Sequence, residues 1–155
     1  MSGLEYNTTG GPAPSTGVPG TAPAIDFESF FERCAGDVAL LLRFAGVFQE
    51  QAALDMARIE KALGAGDFSV LRQVAHRLRG SSAYLSAESV CAAAERLEAV
   101  AAEEEIQRAA EAVARLRAAM TTCLTQVQVI REQAELLASG AGEVLVPLVA
   151  GPDDQ

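Results

Sequence analysis

Apolar residues recur at steps of three and four positions along most of this chain, a spacing that predicts amphipathic helices rather than strands. The first stripe comprises Val38, Leu41, Ala45, Phe48, Ala52, Met56, Ile59 and Leu63. The second comprises Leu71, Ala75, Leu78, Ser82 and Leu85, and the third comprises Val90, Ala94, Leu97 and Ala101. The fourth follows a nearly heptad pattern through Ile106, Val113, Leu116, Met120, Cys123, Val127 and Ile130. Because long amphipathic helices with short connections bury such stripes most simply side by side, we predict an all-α, antiparallel four-helix bundle.

Residues that favour helix ends mark the boundaries between these stripes. Glycines in the segment 64–66 predict the end of the first helix, and Asp67 is a good N-cap for the second. Ser86 is a candidate N-cap for the third helix. We also expect a short extra N-terminal helix, from about Asp26 to Cys34, that covers one end of the bundle.

The two ends of the chain differ from this folded unit in composition. Residues 1–24 are rich in Gly, Pro, Ser and Thr and cannot bury enough apolar surface to offset their ordering entropy. We therefore predict a disordered N-terminal arm over 1–24 and the folded domain over 25–138. Residues 139–155 are predicted to form a loose C-terminal tail, although their apolar VLVPLV segment leaves docking on the bundle open.

Composition and charge narrow the class of protein. Half of the 155 residues are hydrophobic, yet only 5% are aromatic and none is Trp. Much of the apolar content is alanine, the best helix former, which agrees with packed helices. The net charge of −9 argues against a nucleic-acid-binding protein, since such proteins normally carry a basic stripe.

Cysteine spacing and hydropathy indicate a location for the protein. Cys34, Cys91 and Cys123 stand far apart with no CxxC pair, a pattern typical of reduced core thiols rather than of a disulfide framework. No apolar stretch approaches the ~20 residues that a membrane span needs, and the first residues do not resemble a signal peptide. We therefore predict a cytoplasmic protein with no membrane association.

The one histidine, His76, has a predictable position on its helix. At about 100° per residue, His76 lies roughly 140° from the centre of the second apolar stripe, so it faces outwards. An ordinary surface histidine is the simplest interpretation, but Arg72, Arg79 and Gly80 lie one turn away on the same outer side. A glycine inside a helix costs about 1 kcal/mol relative to alanine, which is more readily tolerated where a partner approaches the backbone. The positive charge of such a patch would attract a doubly negative group that is transferred to and from the imidazole.

The residues from His76 onwards resemble a family motif. Residues 76–85, His-Arg-Leu-Arg-Gly-Ser-Ser-Ala-Tyr-Leu, resemble the His-x-Leu-Lys-Gly-Ser-Ser/Ala-x-x-Leu-Gly motif of histidine-containing phosphotransfer (HPt) domains. The resemblance extends from about residue 26 to 135 and includes Gly66-Asp67 before the histidine and Leu97-Glu98 after it. Two positions depart from the motif: Arg79 replaces the usual lysine, and Ser86 replaces the usual glycine.

The resemblance implies a phosphorelay mechanism. A neutral ring nitrogen of His76, usually Nε2 in the family, would attack an aspartyl phosphate on a receiver domain, and a second receiver would later remove the phosphoryl group. Such a domain needs no metal or cofactor of its own and is not a stand-alone enzyme. The implied partners are response-regulator receiver domains, including that of a hybrid histidine kinase, and the expected state is a monomer.

Further site residues are expected around His76. Arg79 is the first candidate for a cation beside the phosphoryl group, and Arg72 is the second. If the second and third helices form a hairpin around Ser86, Glu98 comes level with His76 and would orient the imidazole, as a Gln or Glu does in some family members; a merely solvated Glu98 is equally open. The expected receiver-binding residues are Ser69, Arg77, Gly80, Ala83 and Tyr84.

Two other classes of function compete with this interpretation. A hydrolase using His76 as a general base would need a nucleophile and an orienting acid, and the sequence contains no motif that supplies them. A non-transferring helical adaptor that binds or sequesters a receiver or kinase is the stronger alternative. An adaptor would have no need of a histidine flanked by arginines and Gly80.

Overall fold

A computed structural model describes residues 23–140 as five helices. They are α1 (Phe27–Arg33), α2 (Val38–Ala65), α3 (Phe68–Tyr84), α4 (Glu88–Ala101) and α5 (Ile106–Ala138). Successive long helices reverse direction across short turns, and α3 packs between α2 and α4 while α5 packs between α4 and α2. The short α1 lies against α2. The predicted antiparallel four-helix bundle with an extra N-terminal helix is confirmed.

The apolar stripes form the core of the bundle. Every residue of the predicted second and third stripes is buried, including Ser82. In the fourth stripe Ile106 is the exception, because it is the first residue of α5 and its side chain remains 43% exposed at the end of the bundle. The helical spacing therefore identifies the face of α3 that turns inwards, and with it the face that is left for partners.

Three aspartates cap the N-termini of α1, α2 and α3. Asp26 Oδ1 accepts a hydrogen bond from the Ser29 amide at 3.3 Å, and Asp37 Oδ1 accepts one from the Ala39 amide at 2.9 Å. Asp67 Oδ1 accepts from the Val70 amide at 3.1 Å, which confirms Asp67 as the N-cap of α3. Each side chain satisfies a backbone donor that has no partner within its own helix.

Of the two predictions about the turns between α2 and α3 and between α3 and α4, the first is right and the second is wrong. Gly66 ends α2 with φ +67°, a left-handed conformation that favours glycine. The prediction that Ser86 caps α4 is wrong. Ser86 itself adopts φ +59° within the turn, so its buried hydroxyl makes no hydrogen bond among the described residues, and the N-cap position of α4 falls to Ala87.

The cysteine prediction holds for two of the three residues. Cys34 and Cys123 are buried free thiols, and burial raises the pKa of Cys123 to about 12. Cys91 is only partly buried, because it lies on the flank of α4 with its Sγ 3.7 Å from the backbone oxygen of Arg79.

The predicted N-terminal arm and C-terminal tail lie almost entirely outside the described residues. At the boundary, the Ala24 and Ile25 amides donate to Gln126 Oε1 at 2.6 and 3.1 Å, which fixes the chain to α5 just before α1. Across residues 23–140, no helix is both long enough and apolar enough to cross a membrane.

Candidate functional site

His76 projects from the middle of α3 on the side opposite the core. The buried residues of α3 are Leu71, Val74, Ala75, Leu78 and Ser82, and they occupy the inward face. The His76 side chain is 64% exposed, as its angular position on the helix predicts. An incoming group can therefore reach the imidazole without any rearrangement of the core.

Glu98 of α4 contacts one nitrogen of this ring. The Nδ1 atom of His76 lies 3.0 Å from Glu98 Oε2, and the Glu98 side chain is only 26% exposed. Because an ionised carboxylate can only accept a hydrogen bond, this contact assigns the ring proton to Nδ1. In the neutral form of the ring, the other nitrogen, Nε2, then carries the lone pair. The α3–α4 hairpin thus brings Glu98 and His76 together, although the orienting role of Glu98 stays a prediction.

Arg79 lies on the other side of the same carboxylate. Its Nη1 atom is 3.3 Å from Glu98 Oε1, one helical turn beyond His76 on α3. Glu98 thus has one oxygen in contact with the imidazole and the other in an ion pair with the guanidinium, although Oε1 accepts no hydrogen bond among the described residues. The second candidate cation, Arg72, is exposed one turn before His76 and forms no ion pair among the described residues. Both candidate cations thus lie one helical turn from His76, although their role beside a phosphoryl group stays a prediction.

The backbone next to His76 is open to a partner. Ser69, Gly80 and Ala83 are exposed on the outer side of α3, as predicted. A methyl group added at Gly80 would meet no atom of residues 23–140 within 4 Å beyond the adjacent turns of its own helix, so nothing in this part of the chain requires a glycine there. The space over Gly80 suits the approach of another molecule, and it continues into a shallow hollow lined by Arg33, Gly80, Ala83 and Tyr84.

Arg33 of α1 is a site residue that the sequence analysis missed. Its Nη1 atom donates to the backbone oxygens of Ala83 and Tyr84, at 2.6 and 3.3 Å. These carbonyls belong to the last turn of α3, where a cation is favourable and carbonyl oxygens lack helical partners. Residues 33 and 83 are far apart in the sequence, so no local spacing pattern signals this contact.

Arg77, a predicted receiver-binding residue, is engaged by a buried carboxylate. Its Nη2 atom pairs with Asp55 Oδ1, and its Nε atom lies 3.4 Å from Asp55 Oδ2. Asp55 is on α2 and only 2% exposed, whereas the Arg77 side chain is 41% exposed. The signal for Asp55 was present in the sequence, since an acidic residue stands between the buried Ala52 and Ile59 in the first stripe.

An apolar groove lies between α2 and α3, on the flank that Arg77 faces. Its volume is about 230 Å³, and its α2 wall includes Phe44 and the 56% exposed Val47. Tyr84 forms part of the α3 wall, and its ring centroid lies 4.5 Å from that of Phe44. The predicted receiver-binding residue Tyr84 therefore belongs to an apolar surface continuous with the open backbone at Gly80.

Together these groups favour nucleophilic transfer rather than hydrolysis. An exposed imidazole with a protonated Nδ1 leaves Nε2 as the ring nitrogen available to act as a nucleophile, and two arginines lie one turn away on the same helix. Within residues 23–140, no cluster of three His, Cys, Asp or Glu side chains has the geometry to hold a metal ion.

Comparison with protein-family models gives a match. The family model described as Hpt domain matches residues 43–139, more than half of the chain. The matched range contains α3, α4, α5 and most of α2, with every site residue described above except Arg33. Searches of curated proteins and of solved structures returned no match.

Proposed function

Because the chain belongs to the Hpt domain family, we propose that it is a phosphorelay intermediate that receives a phosphoryl group on His76 from the aspartate of one receiver domain and passes it to another. Hpt domains carry phosphoryl groups in two-component signalling rather than acting as catalysts, and they interact with receiver domains. The assignment to His76, the two-receiver sequence and the docking surface are the parts that we propose.

The contact between His76 and Glu98 is the observation that best supports this proposal. With its proton on Nδ1, the ring uses the Nε2 lone pair to attack the phosphorus of an aspartyl phosphate. The N–P bond forms as the bond from phosphorus to the aspartate oxygen breaks, and the aspartate leaves as a carboxylate. In the second transfer, the carboxylate of another receiver attacks the same phosphorus and the N–P electrons return to Nε2.

The arginines supply charge to this transfer. A cation about 4 Å from a phosphoryl oxygen interacts with it by several kcal/mol at an effective dielectric near 20, and less where water has access. Arg79 is the nearer candidate because Glu98 already holds it on the imidazole side of α3. Arg72 approaches the same space from the preceding turn.

The receiver docks, on this proposal, over the outer face of α3. Ser69, Gly80 and Ala83 provide a surface of small residues on which the receiver approaches the backbone closely. The groove at Tyr84 and Val47 provides the apolar area that becomes desolvated in the complex. Arg77 lies between these two surfaces with its guanidinium bound to Asp55.

Incubation with purified phospho-receivers tests the proposal. We expect the parent protein and an Arg115→Gln control, altered at an exposed position on α5, to take up the phosphoryl label at equal rates. His76→Gln should take up none. The label should be lost in acid and survive base, as an N–P bond does. Transfer to His76→Gln at the parental rate contradicts the proposal, and binding of the phospho-receiver without any transfer to the parent favours the adaptor alternative.

A further inference from the structure

Asp55 is a buried carboxylate that the proposed transfer does not use directly. It lies on the inward side of α2, where the flanking residues of the same stripe are the buried Ala52 and Ile59. Removing a carboxylate from water is costly unless its oxygens are paired and hydrogen-bonded. Both oxygens of Asp55 meet the same partner, since Arg77 presents Nη2 to one and Nε to the other.

We propose that Asp55 is a positioning residue for phosphotransfer: through Arg77, it sets the rotation of α3 about its own axis at which His76 meets Glu98. This inference rests on the proposed function for its consequence in transfer. Its structural part concerns the free protein and is testable without any receiver.

The connection between the two carboxylates runs through consecutive residues. His76 and Arg77 are adjacent on α3 and project about 100° apart around its axis. Glu98 holds His76 from α4, whereas Asp55 holds Arg77 from α2. Because α3 packs between α2 and α4, the two carboxylates fix its rotation from opposite flanks. A rotation that carried Arg77 away from Asp55 would also move His76 relative to Glu98.

Apolar packing and the ion pair constrain this rotation in different ways. The inward face of α3 includes the small side chains of Ala75 and Ser82, and the buried Ser82 hydroxyl makes no hydrogen bond among the described residues. Apolar burial is non-directional, whereas hydrogen bonds to both oxygens of a carboxylate define an orientation. The Asp55–Arg77 pair therefore adds a directional constraint to the packing of Leu71, Val74 and Leu78 in the core.

If the Asp55–Arg77 pair only stabilised the bundle, a different experimental result would be expected. Replacing a buried ion pair by apolar side chains of similar volume is often neutral or stabilising, whereas removal of one partner leaves an unpaired charge. The double variant Asp55→Leu/Arg77→Leu therefore separates stability from orientation. If the pair only stabilises the bundle, this variant should behave as the parent does in every respect once it is folded.

The test compares this variant with a matched control. Glu60→Leu/Arg117→Leu removes an exposed ion pair that joins α2 to α5, away from His76. Nitrogen-15 spectra of the imidazole report the tautomer, and His76 is the only histidine of the chain, so its ring gives one set of signals. Transfer rates at saturating phospho-receiver report the reaction after docking, so weaker receiver binding by the variant does not affect them.

We expect the Asp55→Leu/Arg77→Leu ring signals to shift from the Nδ1-protonated form towards an average of both tautomers, and the saturated transfer rate to fall roughly tenfold. The control should keep the parental spectrum and rate. A parental spectrum and rate in the folded double variant overturn the inference, as does an equal change in the control.

A second variant covers the case in which the leucine pair unfolds the bundle. Asp55→Asn/Arg77→Gln keeps polar side chains at both positions but removes the charges and the guanidinium fork, and we expect the same spectral shift to a smaller extent. An unchanged ring spectrum in this folded variant also overturns the inference. If the parent accepts no phosphoryl group from any receiver, the proposed function fails, and the ring spectra still decide whether Asp55 positions His76.

Discussion

The carboxylate of Glu98 serves two side chains of α3 at once. One oxygen accepts a hydrogen bond from the Nδ1–H group of His76, and the other lies 3.3 Å from the guanidinium of Arg79. This arrangement holds a cation near the imidazole before a phosphoryl group arrives. On the proposed function, little side-chain reorganisation is then needed when Nε2 takes up a phosphoryl group with negative charge on its oxygens, which is the condition under which charges contribute most to a transfer reaction.

Replacement of Arg79 tests this role directly. We expect Arg79→Ala to slow transfer or to shorten the lifetime of phosphorylated His76 by roughly tenfold, which corresponds to about 1.4 kcal/mol. Arg79→Lys restores the usual family residue and should stay close to the parent. Both variants should melt within a few degrees of the parent, because Arg79 lies off the apolar stripe of α3.

Arg115→Ala on α5 removes the same charge from an exposed position outside the site and serves as the control. Transfer assays with purified phospho-receiver should be run over a range of salt concentrations to separate local from long-range charge effects. If Arg79→Ala and Arg115→Ala both transfer at the parental rate at every salt concentration, Arg79 has no such role and Arg72 becomes the candidate.

Gly80 allows a comparison between two substitutions at one position. A methyl group fits there without contact, so Gly80→Ala should raise the free energy of unfolding by about 1 kcal/mol through its helix propensity. Gly80→Gln should also fold, but its longer side chain occupies the approach to the backbone beside His76. We expect slower transfer in Gly80→Gln than in Gly80→Ala, measured with the same phospho-receiver. Equal transfer by both variants would place the receiver elsewhere.

The turn between α3 and α4 sets the level at which Glu98 meets His76. Ser86 adopts φ +59° in this turn, and its buried hydroxyl has no hydrogen-bond partner among the described residues. A left-handed conformation costs a non-glycine residue roughly 1–2 kcal/mol. We expect Ser86→Gly to raise the free energy of unfolding by about 1 kcal/mol in denaturant titrations, with transfer unchanged.

Ser89→Gly in α4 is the matched control for this turn, because it introduces the same change at a helical position. There the substitution should lower the free energy of unfolding by about 0.5–1 kcal/mol. If Ser86→Gly destabilises the protein as Ser89→Gly does, Ser86 is not strained in the native turn.

The helices and the outward face of α3 were predictable from the sequence because both depend on local spacing. Apolar positions repeat with the helical period, and Asp67 and Gly66 act on backbone groups within a few residues. Contacts between helices were harder to predict from the sequence. Arg33 reaches the end of α3 across the fold, and Asp55 meets Arg77 only once α2 and α3 are packed together.

Glu98 is an intermediate case between these local and long-range contacts. The sequence indicated that the hairpin around residue 86 brings Glu98 to the same height along the bundle as His76. That height does not determine whether the carboxylate faces the ring or solvent. The packed α3–α4 pair places its oxygen 3.0 Å from Nδ1. Side-chain direction is set by the rotation of each helix about its axis, and spacing along one helix does not define the rotation of its neighbour.

At the scale of the whole molecule, the bundle separates a rigid frame from an exposed reactive face. The chain carries a net charge of −9, yet the segment 67–85 that contains α3 has three arginines and a single acidic residue. Four long helices bury their stripes against one another and hold this basic face on the outside. The frame thereby keeps an imidazole, its carboxylate and one paired cation, Arg79, in one geometry while leaving the backbone at Gly80 open.

The atom that carries the phosphoryl group is the most direct test of this account. Nitrogen-15 and phosphorus-31 spectra of the protein phosphorylated by a receiver distinguish attachment at Nε2 from attachment at Nδ1. Because Glu98 engages Nδ1, we expect the phosphoryl group on Nε2 of His76, with the proton retained on Nδ1. Phosphorylation at Nδ1, or at any residue other than His76, would contradict the account.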